Sequence, residues 1–363
     1  MTNMILSEVN LDKFDSFIQD ELVAHDKFSG CVLVAKHGEV LYNRAFGMAH
    51  KGYGIPNMTD TKFNLGSVNK MFTAVSIMKL AEDGLLKIDD MIGKYLPNLP
   101  EELANKVSIH QLLTHTSGTG LYWNDKFKAK FTELKTVDDY FPLFINDPLL
   151  FEPGTSWAYS NSGYIILGAI IESVSGKDYF TFVRDTIYTP ANMLNTDCYD
   201  LEYDVSNLAI GYTRLGTEED GDPWRNNTFL HVIKGGPAGG GYSTVEDLLR
   251  FDISLRNNKL LSSEWTSLAT TDKFLSHEKP EMRMQYGYGF MDVRMHGERI
   301  IGHNGGFPGV SALLNMYLNS GYTLAVLSNY DVDRGIMGVH LKFDELLFAN
   351  QSSASSDSTN EEL

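Results

Sequence analysis

The sequence predicts an α+β fold, an αβ sandwich: one antiparallel sheet built from both ends of the chain, flanked by helices, with a mainly helical region inserted between them. Three observations carry this. Residues Gly30–Gly47 read as two β-rich runs joined by His37-Gly38, a hairpin signal. The stretch from Tyr286 to Ser328 is again strand-like, with Gly or Asn-Ser-Gly turns. Between these ends the apolar residues recur at helical spacing. The division expected is 1–79 and 231–350 for the sheet region, 80–230 for the helical region, and a disordered tail over 351–363. At 363 residues, the chain is long enough for about two domains.

In chain order, Leu11, Phe14, Phe17, Ile18, Leu22 and Val23 share a helical period within 11–28. The hairpin follows. From Ser67 to Leu85 the pattern is apolar nearly all round, which predicts a helix buried on most faces. Residues 125–150 read as loop or weak helix, and Gly163–Val174 as an apolar helix. Residues 216–228 are a loop by composition. Ser243-Thr244-Val245-Glu246 forms a capping-box pattern that opens a helix to about Leu255. Strands are expected at Tyr286–His296, Arg299–His303, Val310–Leu318 and Tyr322–Ser328, then a last helix over Arg334–Ala349. The Ser-rich, aromatic-free end from Gln351 gives the disordered tail.

Composition excludes more than it assigns. A hydrophobic content of 43% is ample for a core and rules out a disordered chain. A net charge of −17 argues against nucleic acid and anionic membranes, both of which demand basic patches. No apolar run approaches the roughly 18 residues of a spanning helix, and the N-terminal residues lack a secretory pattern, so a soluble cytoplasmic protein is expected. The cysteines, Cys31 and Cys198, stand far apart and are expected as buried free thiols. His110 and His115 do not make a ligand pattern, and Gly239-Gly240-Gly241 lacks the Lys and Ser/Thr of a phosphate loop. No metal and no cofactor are expected; oligomeric state is left open.

Three short segments carry chemistry. In Gly66-Ser67-Val68-Asn69-Lys70, Lys70 lies three residues beyond Ser67 on the same helical face, so its amine can reach the hydroxyl. A desolvated amine loses its proton and acts as a base. In Tyr159-Ser160-Asn161, the phenol can relay a proton and the amide can bind a carbonyl or steady the lysine, although the triplet also reads as a plain helix cap. In His303-Asn304-Gly305-Gly306, the glycines let a substrate approach the backbone, whose N–H groups can serve an oxyanion. The alternative there is a turn with an exposed histidine. Taken alone each segment is weak; together, Ser-x-x-Lys, a polar triplet and a basic residue-x-Gly stand in the order of the penicillin-binding and β-lactamase signature.

On these residues, and on FNLGSVNKMFTA (63–74), VSIHQLLTHTSG (107–118), FEPGTSWAYSNSGYIILGAIIESVSG (151–176) and GPAGGGYSTVEDLLRF (236–251), the chain resembles the serine β-lactamase-like superfamily over residues 12–350. The branch is that of class C β-lactamases, D-Ala-D-Ala carboxypeptidases, D-aminopeptidases and β-lactamase-like esterases. The resemblance implies a β-lactamase/transpeptidase-like fold and Ser67 as a nucleophile that forms an acyl-enzyme. It implies Lys70 and Tyr159 as the acid/base pair, in an order the sequence leaves open. Asn161 would bind the acyl carbonyl and hold Lys70, and the N–H groups of Ser67 and Gly306, beside Gly305, would form the oxyanion hole. The histidines of 107–118 would fix the Thr116-Ser117-Gly118 loop beside the site. Tyr122, Trp123 and Trp157 are candidates to line the pocket, the alternative being that they belong to the core, as most aromatics do in a chain with 12% of them.

The chain departs from the class C pattern at His303, where that pattern has the lysine of Lys-Thr-Gly. A neutral imidazole anchors an anionic substrate poorly, and no deacylating Glu-x-x-Leu-Asn element is present. Efficient β-lactam hydrolysis is therefore not expected; because many members of the branch hydrolyse short-chain esters, the resemblance implies hydrolysis of small esters, with neutral or cationic substrates favoured by the acidic chain and His303. The alternatives are a D-stereospecific peptidase or amidase, a weak β-lactamase, or a non-catalytic scaffold that has kept the fold.

Overall fold

The computed structural model describes residues 8–215, 223–279, 282–331 and 334–349. The expected tail over 351–363 and much of the expected 216–228 loop lie outside the described residues.

The chain forms a main antiparallel sheet of eight strands: β1 (Gly30–Lys36), β2 (Glu39–Phe46), β3 (Phe274–Lys279), β4 (Met282–Tyr286), β5 (Met291–Met295), β6 (Glu298–Phe307), β7 (Val310–Tyr317) and β8 (Tyr322–Ser328). Their spatial order is β2-β1-β8-β7-β6-β5-β4-β3, so the N-terminal hairpin and the C-terminal strands meet at β1 and β8. These pair in register from Gly30 against Ser328 to Lys36 against Tyr322. The β1–β2 turn is His37-Gly38, with φ of 52° and 83°, the left-handed pair that a two-residue hairpin requires.

Alternation along the central strands sends side chains to two cores. Val32, Val34, Leu324 and Val326 face α1 (Leu11–Phe17) and α5 (Arg334–Leu347), packing on Phe14, Ile336, Val339 and Phe343. Cys31, Leu33, Ala325 and Leu327 point the other way, into the larger core shared with α2 (Asn69–Glu82), α3 (Asn161–Ser175) and α4 (Val245–Arg256). Cys31 and Cys198 are buried and free. The structure thus has the terminal helices on one face of a sheet made from both chain ends and α2, α3 and α4 on the other, the α+β architecture that the resemblance implies.

Four local features differ from expectation. The expected strand over 286–296 is two strands, β4 and β5, broken by a turn at Gly287–Phe290 in which Gly289 has φ of 75°. That turn packs on α2: a Cβ on Gly289 would lie 2.5 Å from Ala74 Cβ and 2.9 Å from the Lys70 carbonyl oxygen. β3, polar and at the sheet edge, has no apolar alternation to announce it. β6 continues four residues past His303, pairing Gly305 with Ala312 and Gly306 with Ser311, where a turn was the alternative reading. Helix α4 is capped by Thr244, one residue later than the Ser243 pattern suggests, with the Thr244 side chain accepting from the Asp247 N–H.

No helix among the described residues is long and apolar enough to cross a membrane. Among the same residues no group of three or more His, Cys, Asp or Glu side chains is gathered to hold a metal ion.

Candidate active site

Ser67 sits in a single 3-10 turn, Gly66–Val68, that leads into α2. The turn is set by backbone contacts that only glycine allows. Gly66 has φ of 48°, and a Cβ on it would stand 2.8 Å from the Gly306 nitrogen. A Cβ on Gly305 would fall 2.0 Å from the Leu65 carbonyl oxygen and 2.9 Å from the Ser67 nitrogen. The end of β6 therefore lies directly against the turn that carries Ser67. On the other side, Gly240 N–H donates to the Gly66 carbonyl at 3.3 Å and Leu65 N–H to Gly241 at 2.7 Å, so the 235–241 glycine loop closes on the same turn.

Lys70 is fully buried. Its Nζ lies 3.2 Å from Ser67 Oγ, 2.7 Å from Asn161 Oδ1 and 2.5 Å from the Ala238 carbonyl oxygen. The Tyr159 and Tyr164 rings stand 4.8 and 5.3 Å from it. Burial drives its pKa well below the usual lysine range. Asn161 is the first residue of α3, and Ser160 caps that helix by accepting from the Gly163 N–H at 2.9 Å and donating to the Gly120 carbonyl at 2.8 Å. The two readings of the triplet are thus joined: Ser160 caps, and the cap sets where Asn161 points.

The Tyr159 hydroxyl is buried and, among the described residues, has no partner at hydrogen-bond distance. Burial pushes its pKa above the usual phenol value, although the nearby Ser67 hydroxyl pulls it back somewhat. Tyr159 stays a phenol at neutral pH.

His303 does not open onto the cleft. It is buried, its Nδ1 is 2.5 Å from the Asn304 carbonyl oxygen and its Nε2 is 3.0 Å from the Tyr286 hydroxyl. A carbonyl can only accept, so Nδ1 carries the proton and Nε2 accepts from Tyr286. Burial, aided by the positive charge Lys70 would carry, lowers its pKa to about 3, so the ring is neutral at pH 7.

In front of Ser67 is a cleft partly open to solvent. Ser67, Asn161 and Gly306 line it, as do Tyr122 and Trp123. Trp157, expected at the pocket, is not among the lining residues; it stacks on Phe274 at 6.0 Å and meets the His115 ring edge-on. The sequence reading missed Phe127, Tyr140, His231, Val232 and Phe307 in the lining. Phe307 follows the glycine pair directly and was findable once β6 was known to continue; no sequence signal marked the others. It also missed Tyr286 behind His303.

The profile of the Beta-lactamase family matches residues 14–343. The chain belongs to that family. This Beta-lactamase family member is 32% identical over 339 residues to Penicillin-binding protein 4* of Bacillus subtilis (strain 168), covering 90% of this chain and 73% of the relative. It is also 32% identical over 220 residues to Esterase EstB of Burkholderia gladioli, covering 56% of this chain and 54% of the esterase. Among solved structures, the octameric penicillin-binding protein homologue from Pyrococcus abyssi superposes with a TM-score of 0.82 at 26% identity, over 94% of this chain and 78% of that one. A D-stereospecific amidohydrolase from Streptomyces sp. gives 0.75 at 26% identity, over 92% and 98%. This family member is a serine hydrolase of the β-lactamase-like superfamily.

Proposed function

We propose that Ser67 is the nucleophile of a carboxylesterase-like hydrolase acting on small, uncharged esters through an acyl-enzyme. The observation that carries this is the environment of Lys70 Nζ. Two of its three contacts, Asn161 Oδ1 and the Ala238 carbonyl, are acceptors and take two N–H bonds. The neutral amine that burial favours has only those two hydrogens, so its lone pair is left toward Ser67 Oγ. Lys70 thus takes the serine proton as Oγ bonds to the ester carbonyl carbon. Tyr159, held protonated, then supplies the acid that the leaving alkoxide needs. The N–H groups of Ser67 and Gly306, brought together by the Gly305 contact, receive the oxyanion. Water then attacks the acyl carbon and gives one proton to the Tyr159 phenolate, and Lys70 returns its proton to Ser67 Oγ as the carboxylic acid leaves, which restores all three side chains.

Two features favour a neutral substrate. Among the described residues, no lysine or arginine lines the cleft, and His303, where a class C enzyme has a cation, is neutral and faces Tyr286. The aromatic lining suits an apolar acyl or alkyl group. The likeness to Esterase EstB points the same way. A second reading, hydrolysis of D-amino-acid amides, is favoured by the likeness to the Streptomyces D-stereospecific amidohydrolase.

The test is turnover of p-nitrophenyl acetate and butyrate by the wild type and Ser67→Ala. The wild type is expected to turn over both and the variant to fall by at least about a thousandfold; equal rates would sink the assignment. Parallel assays with D-aminoacyl amides and nitrocefin separate the readings, since amide turnover exceeding ester turnover favours the second.

A further inference from the structure

The motif around His115 was expected only to fix a neighbouring loop. Its geometry reaches further. His115 is completely buried and has a positive φ of 62°, a conformation that costs a non-glycine residue free energy and that Asn or His tolerates best. Both its backbone and its ring grip the segment that leads into α3. The His115 carbonyl accepts from Ala158 N–H at 3.0 Å, and its ring Nδ1 accepts from Ser160 N–H at 3.1 Å. Tyr159, between those two anchored residues, lies against the imidazole with ring centroids 4.3 Å apart. Asn161 follows immediately. One side chain thereby orients the peptide between the phenol and the amide that face Lys70.

We propose that His115 is a positioning residue for the Ser67 reaction, acting through the Ser160 N–H···Nδ1 bond to hold Tyr159 and Asn161 at Lys70. The bond fixes the tautomer: Nδ1 must be unprotonated to accept, so the single proton is on Nε2. The neutral form is the one its surroundings favour. The ring is enclosed by Tyr159, Tyr164, Tyr286 and Trp157, with Lys70 and His303 as the nearest basic groups, and burial lowers its pKa well below the usual histidine value. Nε2 is buried without a hydrogen-bond partner among the described residues. Such an unmet donor is costly, and the Nδ1 contact is where this side chain returns something to the fold. His115 is not among the residues that line the cleft, so its influence on the reaction passes through its neighbours.

The inference rests on the Ser67 reading, and the experiment separates the two. His115→Asn places Oδ1 where Nδ1 stands and tolerates the positive φ; His115→Phe keeps a ring but no acceptor; His115→Ala keeps neither. Expected for p-nitrophenyl butyrate is a kcat within about fivefold of wild type for His115→Asn and a loss of about a hundredfold for the Phe and Ala variants, with KM within about twofold. Equal losses in all three, or a loss confined to KM, would overturn the positioning role. Two measurements do not depend on turnover. In the wild type, a through-bond ¹⁵N–¹⁵N coupling between Ser160 N and His115 Nδ1 is expected, and its absence overturns the proposal even if every variant fails to fold. Crystal structures of His115→Asn and His115→Ala are expected to keep and to lose the Lys70–Asn161 contact, respectively. If the wild type hydrolyses no ester but the coupling and the contact behave as expected, the esterase reading fails and the positioning role stands.

Discussion

Asn161 Oδ1 stands 2.7 Å from Lys70 Nζ although 91 residues separate the two in sequence. Lys70 is the second residue of α2 and Asn161 the first of α3, so the contact joins the N-terminal ends of two buried helices. It is one of the two acceptor contacts that leave the lysine lone pair toward Ser67 Oγ.

Lys70 gives a pH signature with a definite sign. Its folded-state pKa is lowered well below the ordinary lysine value of 10.5, so between that lowered value and 10.5 the unfolded chain holds a proton the native protein lacks. Stability therefore rises with pH across this window and is lost as pH falls through it. Relative to wild type, Lys70→Met is expected to show a flatter dependence of Tm on pH between about 7 and 10, together with loss of ester turnover. Parallel pH–Tm curves for the two proteins would refute a neutral Lys70.

His303 makes the corresponding prediction on the acid side. With a folded pKa of about 3 against the ordinary histidine value of 6.5, its neutral form stabilises the fold above 6.5, and that contribution is lost progressively as pH falls from 6.5 toward 3. His303→Gln, with no titrating ring, is expected to show a shallower loss of Tm over that interval. Thermal melts from pH 7 to pH 4 on both proteins provide the check, and an unchanged slope would place the proton elsewhere.

Gly305→Ala tests the seam between β6 and the nucleophile turn. Its Cβ would lie 2.0 Å from the Leu65 carbonyl oxygen, a backbone atom with no flexible end to yield. The expected result is a destabilisation of more than about 2 kcal/mol and a large fall in kcat, because Ser67 and the Gly306 N–H separate together. Denaturant melts and kcat on p-nitrophenyl acetate measure both; a variant with wild-type values would mean that the strand does not set the turn.

Trp123 should govern acyl-chain preference. It lines the cleft, is 47% exposed, and faces the Phe307 ring at 5.7 Å. Trp123→Ala removes apolar surface that a longer chain covers more than a short one, at about 25 cal/mol per Å². KM is expected to rise several-fold for p-nitrophenyl butyrate and less for the acetate, with kcat little changed. Equal effects on both esters would exclude this wall from acyl recognition.

Local rules were enough for much of this protein. The left-handed pair His37-Gly38 makes its hairpin, alternation in β1 and β8 supplies two cores, and the i, i+3 spacing of Ser67 and Lys70 brings hydroxyl and amine together whatever surrounds them. The order of the Ser67, Tyr159 and His303 segments likewise points to one family. What the sequence could not express is what depends on approach from afar. That β6 runs on through Gly305 and Gly306 follows from its pairing with β7 and its contact with Leu65. That His303 turns to Tyr286 rather than to the cleft follows from its burial against the last residue of β4, a strand whose limits the pattern does not mark because Gly287–Phe290 bends where it meets α2. The Ser160 N–H that finds His115 is a backbone donor that looks alike at every residue; only tertiary structure decides which acceptor reaches it, because a buried N–H must be paired by whatever packing brings within 3 Å or so.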